Sequence, residues 1–370
     1  MPGHPAAATP SIHHLLMKTI RPLALLIALT PALLHAQGSL TPPSGPPVAS
    51  MKTLDQVEAR TPLEAGAAGV VINAAGTITI SQPGSYYLTG NRTITTTGAN
   101  GIVISADGVT LDLNGFALIC TGVNGGIAVN LGSVNAATVR RGSILGGSTV
   151  AGSVFSLAGW DKGINGTGSD LRVSDINARG LRTNGIFIST LNSSVERCSV
   201  NICGGSGIQT RNASDTTVRN CGDYALSIGN PSSGGCGNNC LGESVGASGY
   251  GIYATGSVLT NCRGIAIGGN GLHGGQVTNC QGASTSGWGI FAANATNCEG
   301  SSSTNVGLKA TNATNCTGTT NSGTAGIAVT GTASYCQAGG SGTAMTAAIA
   351  IGCTSAGGVI TAPQKHLGTP

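Results

Sequence analysis

Eight of the eleven arginines beyond residue 36 crowd into residues 140–223: Arg140, Arg141, Arg172, Arg179, Arg182, Arg197, Arg211 and Arg219. Six acids share that stretch, Asp161, Asp170, Asp175, Glu196, Asp215 and Asp223, and after it only Glu243 and Glu299 remain. Chemistry that needs charge therefore has one place to be. Guanidinium groups such as Arg179 and Arg182, in Arg-Gly-Leu-Arg, grip planar anions, the carboxylate or sulfate of an acidic glycan among them. Asp170, Arg172, Asp215 and Asp223 complete the set of catalytic candidates with Arg179 and Arg182. Trp160, Asp161 and Lys162 join the two arginines as candidates for holding a ligand, Trp160 by stacking on a sugar ring.

What could position them is a repeat. Cys262, Cys280, Cys298 and Cys316 are each 18 residues apart, and Cys336 and Cys353 continue at 20 and 17. Upstream, Cys240, Cys221 and Cys198 follow at 22, 19 and 23. In step with them runs a Gly followed by Ile or Leu, as in Gly185-Ile186, Gly207-Ile208, Gly251-Ile252, Gly271-Leu272 and Gly289-Ile290. The short pieces around these phrases alternate and are β-branched, so they predict strands. A coil of 18 residues has no room for a helix. Stacked in parallel about 4.8 Å apart, the coils predict a parallel β-helix of roughly 11–12 coils from Gly101, about 55 Å long.

The phrase Val277-Thr278-Asn279-Cys280 sets the local geometry. Strict alternation would bury the Asn and expose the Cys, against the usual preferences. An Asn in a left-handed bend lets Val and Cys both face inward. The column reads Asp175, Arg197, Asn220, Asn239, Asn261, Asn279, Asn297, Asn315, Tyr335, Gly352, and Asp175, Arg197 and Tyr335 fit it least. Stacked asparagines can also bond along the rod. The cysteines then form an interior column nine deep from Cys198 to Cys353, most of them predicted as free, buried thiols, because ligands spread along an axis do not converge on a metal and parallel Cβ vectors sit slightly too far apart for disulfides. Cys120, Cys203 and Cys236 lie off it, and Cys236 and Cys240 either pair or sit together incidentally.

The same register explains much of the charge. Aligning Val139, Val173, Val195 and Val218 places Arg141, Asp175 and Arg197 in one column and Arg140, Ser174, Glu196 and Arg219 in the next. Alternating signs there predict exposed ion pairs of small energetic weight. Asp170, Asp215 and Asp223 fall at different offsets and form no evident Ca²⁺ cage. The interval from Gly126 to Gly163 holds either two coils or one with a projecting loop carrying Phe155 and Trp160; beside a coil edge Trp160 either stacks on a ligand or packs. His273 reads as a solvated turn residue, and Trp288 as packing on a neighbouring coil.

The N-terminus suggests export. Met17-Lys18-Thr-Ile-Arg21, an apolar run from Leu23 to Leu34 and Leu34-His35-Ala36 predict a signal peptide over 17–36, with residues 1–16 an over-extended start. Its run is too short to span a bilayer. Removing residues 1–36 leaves 15 basic residues against 13 acidic ones, no case for nucleic acid. A Pro-rich linker follows over 37–50, then a cap over 51–95 with a short helix at Met51–Glu58 and a hairpin-like piece at Thr77–Ile80 and Tyr86–Leu88. The cap would cover the open end of the β-helix of 96–358, and a closing tail occupies 359–370.

The runs MKTLDQVEARTPLEAG, GSYYLTGN, GVTLDLNGFAL and the closing ITAPQKH, with the Gly-Ile coils between them, resemble a subgroup of exported bacterial right-handed parallel β-helix proteins of the pectate-lyase-like superfamily. The resemblance spans nearly all of the chain after the signal and implies the right-handed sense. It implies no particular activity. Lyases of the superfamily hold Ca²⁺ and a uronate with carboxylates while Arg or Lys takes the C5 proton; its hydrolases use clustered Asp as acid and base. No cofactor is expected here, Ca²⁺ entering only for a lyase. Scarce acids and regular late coils favour a secreted or cell-surface rod that binds glycan without cleaving it or serves a structural role. The alternative is a lyase or hydrolase with its site in 140–223. An ice-binding face on Thr260, Thr278, Thr296 and Thr314 lacks the second Thr column, since Val258, Gln276, Asn294 and Asn312 stand beside it.

Overall fold

The computed structural model describes residues 60–370, apart from 121, 123–124, 230–233 and 341. The expected signal peptide, linker and short helix lie outside the described residues. Within them the chain is all strand and turn, and it forms a parallel β-helix. Each complete coil contributes to three ladders.

The first ladder begins at Ile78–Ile80, which pairs in parallel with Ile102–Ile104 and then Ile127–Gly132. Lys162–Gly166, Ile186–Ile188, Ile208–Thr210 and Leu226–Ile228 follow. The ladder continues through the strands that start at Ile252, Leu272, Ile290, Leu308 and Ile327, and ends at Thr343–Thr346 and Val359–Thr361. That is fourteen rungs, about 60 Å at the parallel spacing. Twelve lie between Gly101 and residue 358, as the repeat predicts; Ile78–Ile80 and Val359–Thr361 add one at each end. Val70–Ile72 folds back antiparallel on the first rung. The interval from Gly126 to Gly163 is one coil, because Ile127–Gly132 pairs directly with Lys162–Gly166. Its extra length is an antiparallel hairpin, Thr149–Ala151 with Val154–Ser156.

Between the second and third ladders the chain turns at a positive-φ residue. Arg141, Asp175, Arg197, Asp215, Asn239, Asn261, Asn279, Asn297, Asn315, Tyr335 and Gly352 all occupy that bend, with φ from 48° to 58°. Asp175, Arg197 and Tyr335 thus adopt the same bend as the asparagines. Val195 pairs with Ala213, not Val218, which stacks on Val200 in the third ladder. The register therefore corrects two expectations. Asp215 replaces Asn220 in the bend column, and the inward column behind it reads Cys198, Thr216, Cys240, Cys262 and so on to Cys353, eight cysteines interrupted by a buried threonine. No disulfide is formed among the described residues. Burial pushes the Cys198 thiol up to about 12. Cys236 points outward while Cys240 points in, so the two do not face one another.

The glycine before each first-ladder strand has a steric cause. A Cβ at Gly289 would lie 2.4 Å from Gly307 O and Ser301 N, and one at Gly271 2.4 Å from Ala283 N. The turn into the strand rests on the backbone of the third ladder, and only a residue without a side chain fits. The residue after the glycine, such as Leu272 or Ile290, then enters the core, whereas a large residue before it, such as Trp288, stays partly open to solvent, with consequences for the surface.

Candidate functional site

The charged residues of 140–223 are dispersed over the coil. Asp215 sits in the bend column, where Asn239 Nδ2 donates to Oδ1 at 2.6 Å. Asp170 is exposed at the turn ahead of the second ladder and accepts from Asn192 Nδ2 at 3.1 Å. Arg172 opens the second ladder, stacked between Thr138 and Ser194. Arg179 lies in the third ladder beside Leu145 and Asn201. Arg182 and Asp223 belong to the turn between the third and first ladders, where Asp223 Oδ2 accepts from Ser206 Oγ at 3.2 Å. Among the described residues no group of three or more His, Cys, Asp or Glu is placed to hold a metal ion. An open depression of about 320 Å³ lined by Ser169, Thr190, Leu191 and Arg211 lies near Asp170.

Ion pairing accounts for part of the charge, as expected. Arg197 donates through both Nε and Nη2 to Asp175, at 2.7 and 3.0 Å; Arg219, expected in the column of Glu196, lies instead in the third ladder beside Asn201 and pairs with Glu243 at 3.0 Å. The Arg197 guanidinium holds the Asp175 carboxyl below its ordinary range. Trp160 corrects the expectation of a stacking platform. It is fully buried, its Nε1 donating to Leu118 O at 3.3 Å, and no ring face is open to a sugar. Lys162 does reach the outer face of the first ladder, with Nζ 5.3 Å from the Phe187 ring centroid and 3.2 Å from Asn165 Oδ1. Asp161 neighbours it, and its backbone carbonyl accepts from Thr183.

A second constellation lies on that same outer face. The middle residue of each first-ladder strand points out, giving the registered series Phe187, Gln209, Ser227, Tyr253, His273, Phe291 and Lys309. Tyr250 and Trp288, each directly before a steric glycine, join this side through their ring contacts with Tyr253 and Phe291; Tyr224 occupies the equivalent place one coil earlier. Tyr224 lies 4.9 Å from Tyr253 and 5.4 Å from Tyr250, centroid to centroid. Tyr253 meets His273 at 5.1 Å, His273 meets Phe291 at 4.7 Å, and Phe291 meets Trp288 at 4.8 Å. Lys309 Nζ closes the run 4.1 Å from the Trp288 ring.

Six rings and an ammonium thus touch in unbroken series over five rungs, about 19 Å along the rod. All are half-buried. Five of the chain's twelve Phe, Trp and Tyr residues stand here. Edge and tilted contacts at these distances stabilise aromatic pairs beyond their area, so the rings hold one another in a fixed relief. Burial pushes His273 below its ordinary value, keeping the imidazole neutral at neutral pH. Burial, then the Asp223 charge, pushes the Tyr224 hydroxyl up. The surface is therefore an amphipathic strip of aromatic rings, closed at one end by the Lys309 ammonium. His273 lies inside a strand rather than in a solvated turn. Trp288 packs on its own strand through Phe291 and on the next coil through Lys309, and it stays half open to solvent. The signal for the strip is in the sequence: Tyr253, His273, Phe291 and Lys309 each stand two residues after a repeat glycine.

No protein-family model matches the chain, and no curated relative matches it. Among solved structures it is similar to the A-module of the Azotobacter vinelandii mannuronan C-5 epimerase AlgE4, at TM-score 0.39 and 10% identity, over 76% of this chain and 90% of that one. It is also similar to the tailspike protein gp49 of the Acinetobacter baumannii bacteriophage Fri1, a capsular polysaccharide depolymerase, at TM-score 0.31 and 12% identity. That match covers 77% of this chain and 57% of the tailspike. A third is the endo-xylogalacturonan hydrolase of Aspergillus tubingensis, at TM-score 0.24 and 11% identity, over 80% and 86%.

Proposed function

We propose that this β-helix is a rod that binds an extended polysaccharide along the outer face of its first ladder, without cleaving it. The observation that carries the reading is the unbroken aromatic run from Tyr224 to Trp288, capped by Lys309. The fold does not need these rings, since the core is filled from the opposite, inward side of the same strands by Ile, Leu, Ala and Cys. A sugar ring has an apolar C–H face that lies on an aromatic face, and hydroxyls that meet Tyr tips; such rings combine an apolar body with a polar handle. A linear strip of fixed relief suits a linear, repeating ligand. The non-catalytic part of the reading rests on the dispersal of Asp170, Asp215 and Asp223 over three different parts of the coil. Export through residues 17–36 belongs to the same proposal. Among the described residues no helix is long and apolar enough to cross a membrane.

The test is a screen of purified residues 37–370 against polygalacturonate, alginate, xylan and β-glucan, with and without Ca²⁺. It records retention on immobilised polysaccharide, unsaturated products and new reducing ends. Retention on at least one polysaccharide with no product from any is expected. Product formation abolished by changing Asp170, Arg179 or Arg182 would replace the binding rod with a lyase or hydrolase.

A further inference from the structure

We infer that Cys203 and Cys221 are the site of an intramolecular disulfide that staples two adjacent coils. The two residues are direct register partners in the third ladder. Parallel neighbours have Cα atoms about 4.8 Å apart, inside the 4.4–6.8 Å span that a disulfide tolerates; strictly parallel Cβ vectors would leave the Cβ atoms slightly too far apart, so this pair is set apart from the others by its sulfurs, which turn toward one another. Their sulfurs lie 2.8 Å from one another, far closer to a bond of about 2.05 Å than unbonded sulfurs ordinarily stand. Both side chains are fully buried.

The cysteines of the bend column are arranged differently. The thiols of Cys240, Cys262, Cys280, Cys298 and Cys316 each donate to the carbonyl two residues back, at 3.1–3.2 Å. Cys203 and Cys221 stand farther from their nearby carbonyls, 3.5 Å from Gly205 O and Arg219 O. Their column also limits the choice of partner. It reads Leu181, Cys203, Cys221, Ser244, Ala266, so each cysteine has one sulfur neighbour in register and no second. In the bend column an interior cysteine such as Cys280 has one on either side.

The bond forms by thiol–disulfide exchange with a small-molecule disulfide. One cysteine thiolate attacks that disulfide and expels a thiolate, leaving a mixed disulfide on the protein. The second cysteine thiolate then attacks the protein-bound sulfur and expels the other half. The protein loses two electrons and two protons, and the oxidant leaves as two thiols. Because both sulfurs are buried in the folded coil, the exchange precedes closure of the coil.

The experiment refolds the full chain from denaturant in a buffer of oxidised and reduced glutathione, counts thiols in denaturant and maps the linked peptides by mass spectrometry. All but two of the twelve cysteines are expected to titrate, with the missing pair mapped to Cys203 and Cys221. In Cys203→Ser and in Cys221→Ser every remaining cysteine should be free, whereas Cys236→Ser should keep the bond. Twelve free thiols in the unaltered chain, or a different pair linked, would overturn the proposal. The peptide map of the unaltered chain decides the question even where a variant fails to fold.

Discussion

Replacing Tyr253 and Trp288 together by Ala is expected to weaken polysaccharide binding about a hundredfold while leaving the fold intact. A ring of 150–250 Å² covered on one face by a sugar withdraws roughly a third of that area from water. At about 25 cal/mol/Å² this is about 1–2 kcal/mol, or about tenfold in affinity per ring. The two residues stand on different coils, so their losses should roughly add. Neither supports the core, because both project from the outer side of their strands. Arg179→Ala and Arg182→Ala, on the third ladder and the turn after it, should bind as the unaltered chain does. Affinity electrophoresis in gels cast with the retained polysaccharide reads all three variants, and far-ultraviolet circular dichroism checks the fold.

Asp112→Ala should loosen the N-terminal coils by about 2–3 kcal/mol. The carboxylate has no exposed surface, yet three arginines converge on it. Arg60 Nη1 lies 3.1 Å from Oδ2, Arg140 Nε 3.3 Å from the same oxygen, and Arg141 bonds both oxygens. The Asn114 amide adds a hydrogen bond at 2.8 Å. Breaking a buried ion pair ordinarily costs about 3–5 kcal/mol; here the arginines are partly exposed and recover some hydration, which lowers the figure. Burial pushes the carboxyl up, but the Arg141 hydrogen bond, the Asn114 amide and the charges of Arg141 and Arg140 outweigh it and hold it below its ordinary value. For a depressed carboxyl the stabilisation is complete above the unfolded value of about 3.9 and disappears as pH falls through the lower native value. Hydrogen exchange over residues 60–145 reads the effect locally, which suits a repeat array that need not unfold as one unit. Protection unchanged in the variant would show that the cluster contributes nothing to these coils.

The coil, its period and its left-handed bend were legible because each is written locally and repeated. An Asn between an inward Val or Leu and an inward Cys has few conformations that satisfy both neighbours, and the late coils state this again and again. The same local logic misplaced one coil. Val218-Arg219-Asn220-Cys221 has the wording of the bend, and Asn220 even adopts a positive φ. The bend of that coil nevertheless falls at Asp215, because Ala213-Ser214-Asp215-Thr216 carries the register without a cysteine. Asp112 was illegible for the opposite reason. Its partners are 29 and 52 residues away, and no short phrase joins them. Trp160 stands beside charge in the sequence, but a fold of small inward side chains can also enclose an indole. The aromatic strip was present as a third phrase in step with the glycines, and it emerges only when the residues two after each glycine are compared across coils.

The central claim, a polysaccharide seated on the strip, is tested most directly by tryptophan quenching. The chain has two tryptophans; Trp160 is fully buried, whereas Trp288 is half open beside Phe291 and Lys309. Acrylamide quenching would be measured on the Trp160→Phe variant, with and without saturating oligosaccharides of the retained polysaccharide. Bound ligand is expected to shield Trp288 and to lower its quenching in proportion to occupancy. Saturable binding with quenching of Trp288 unchanged would place the ligand elsewhere on the rod and contradict the account.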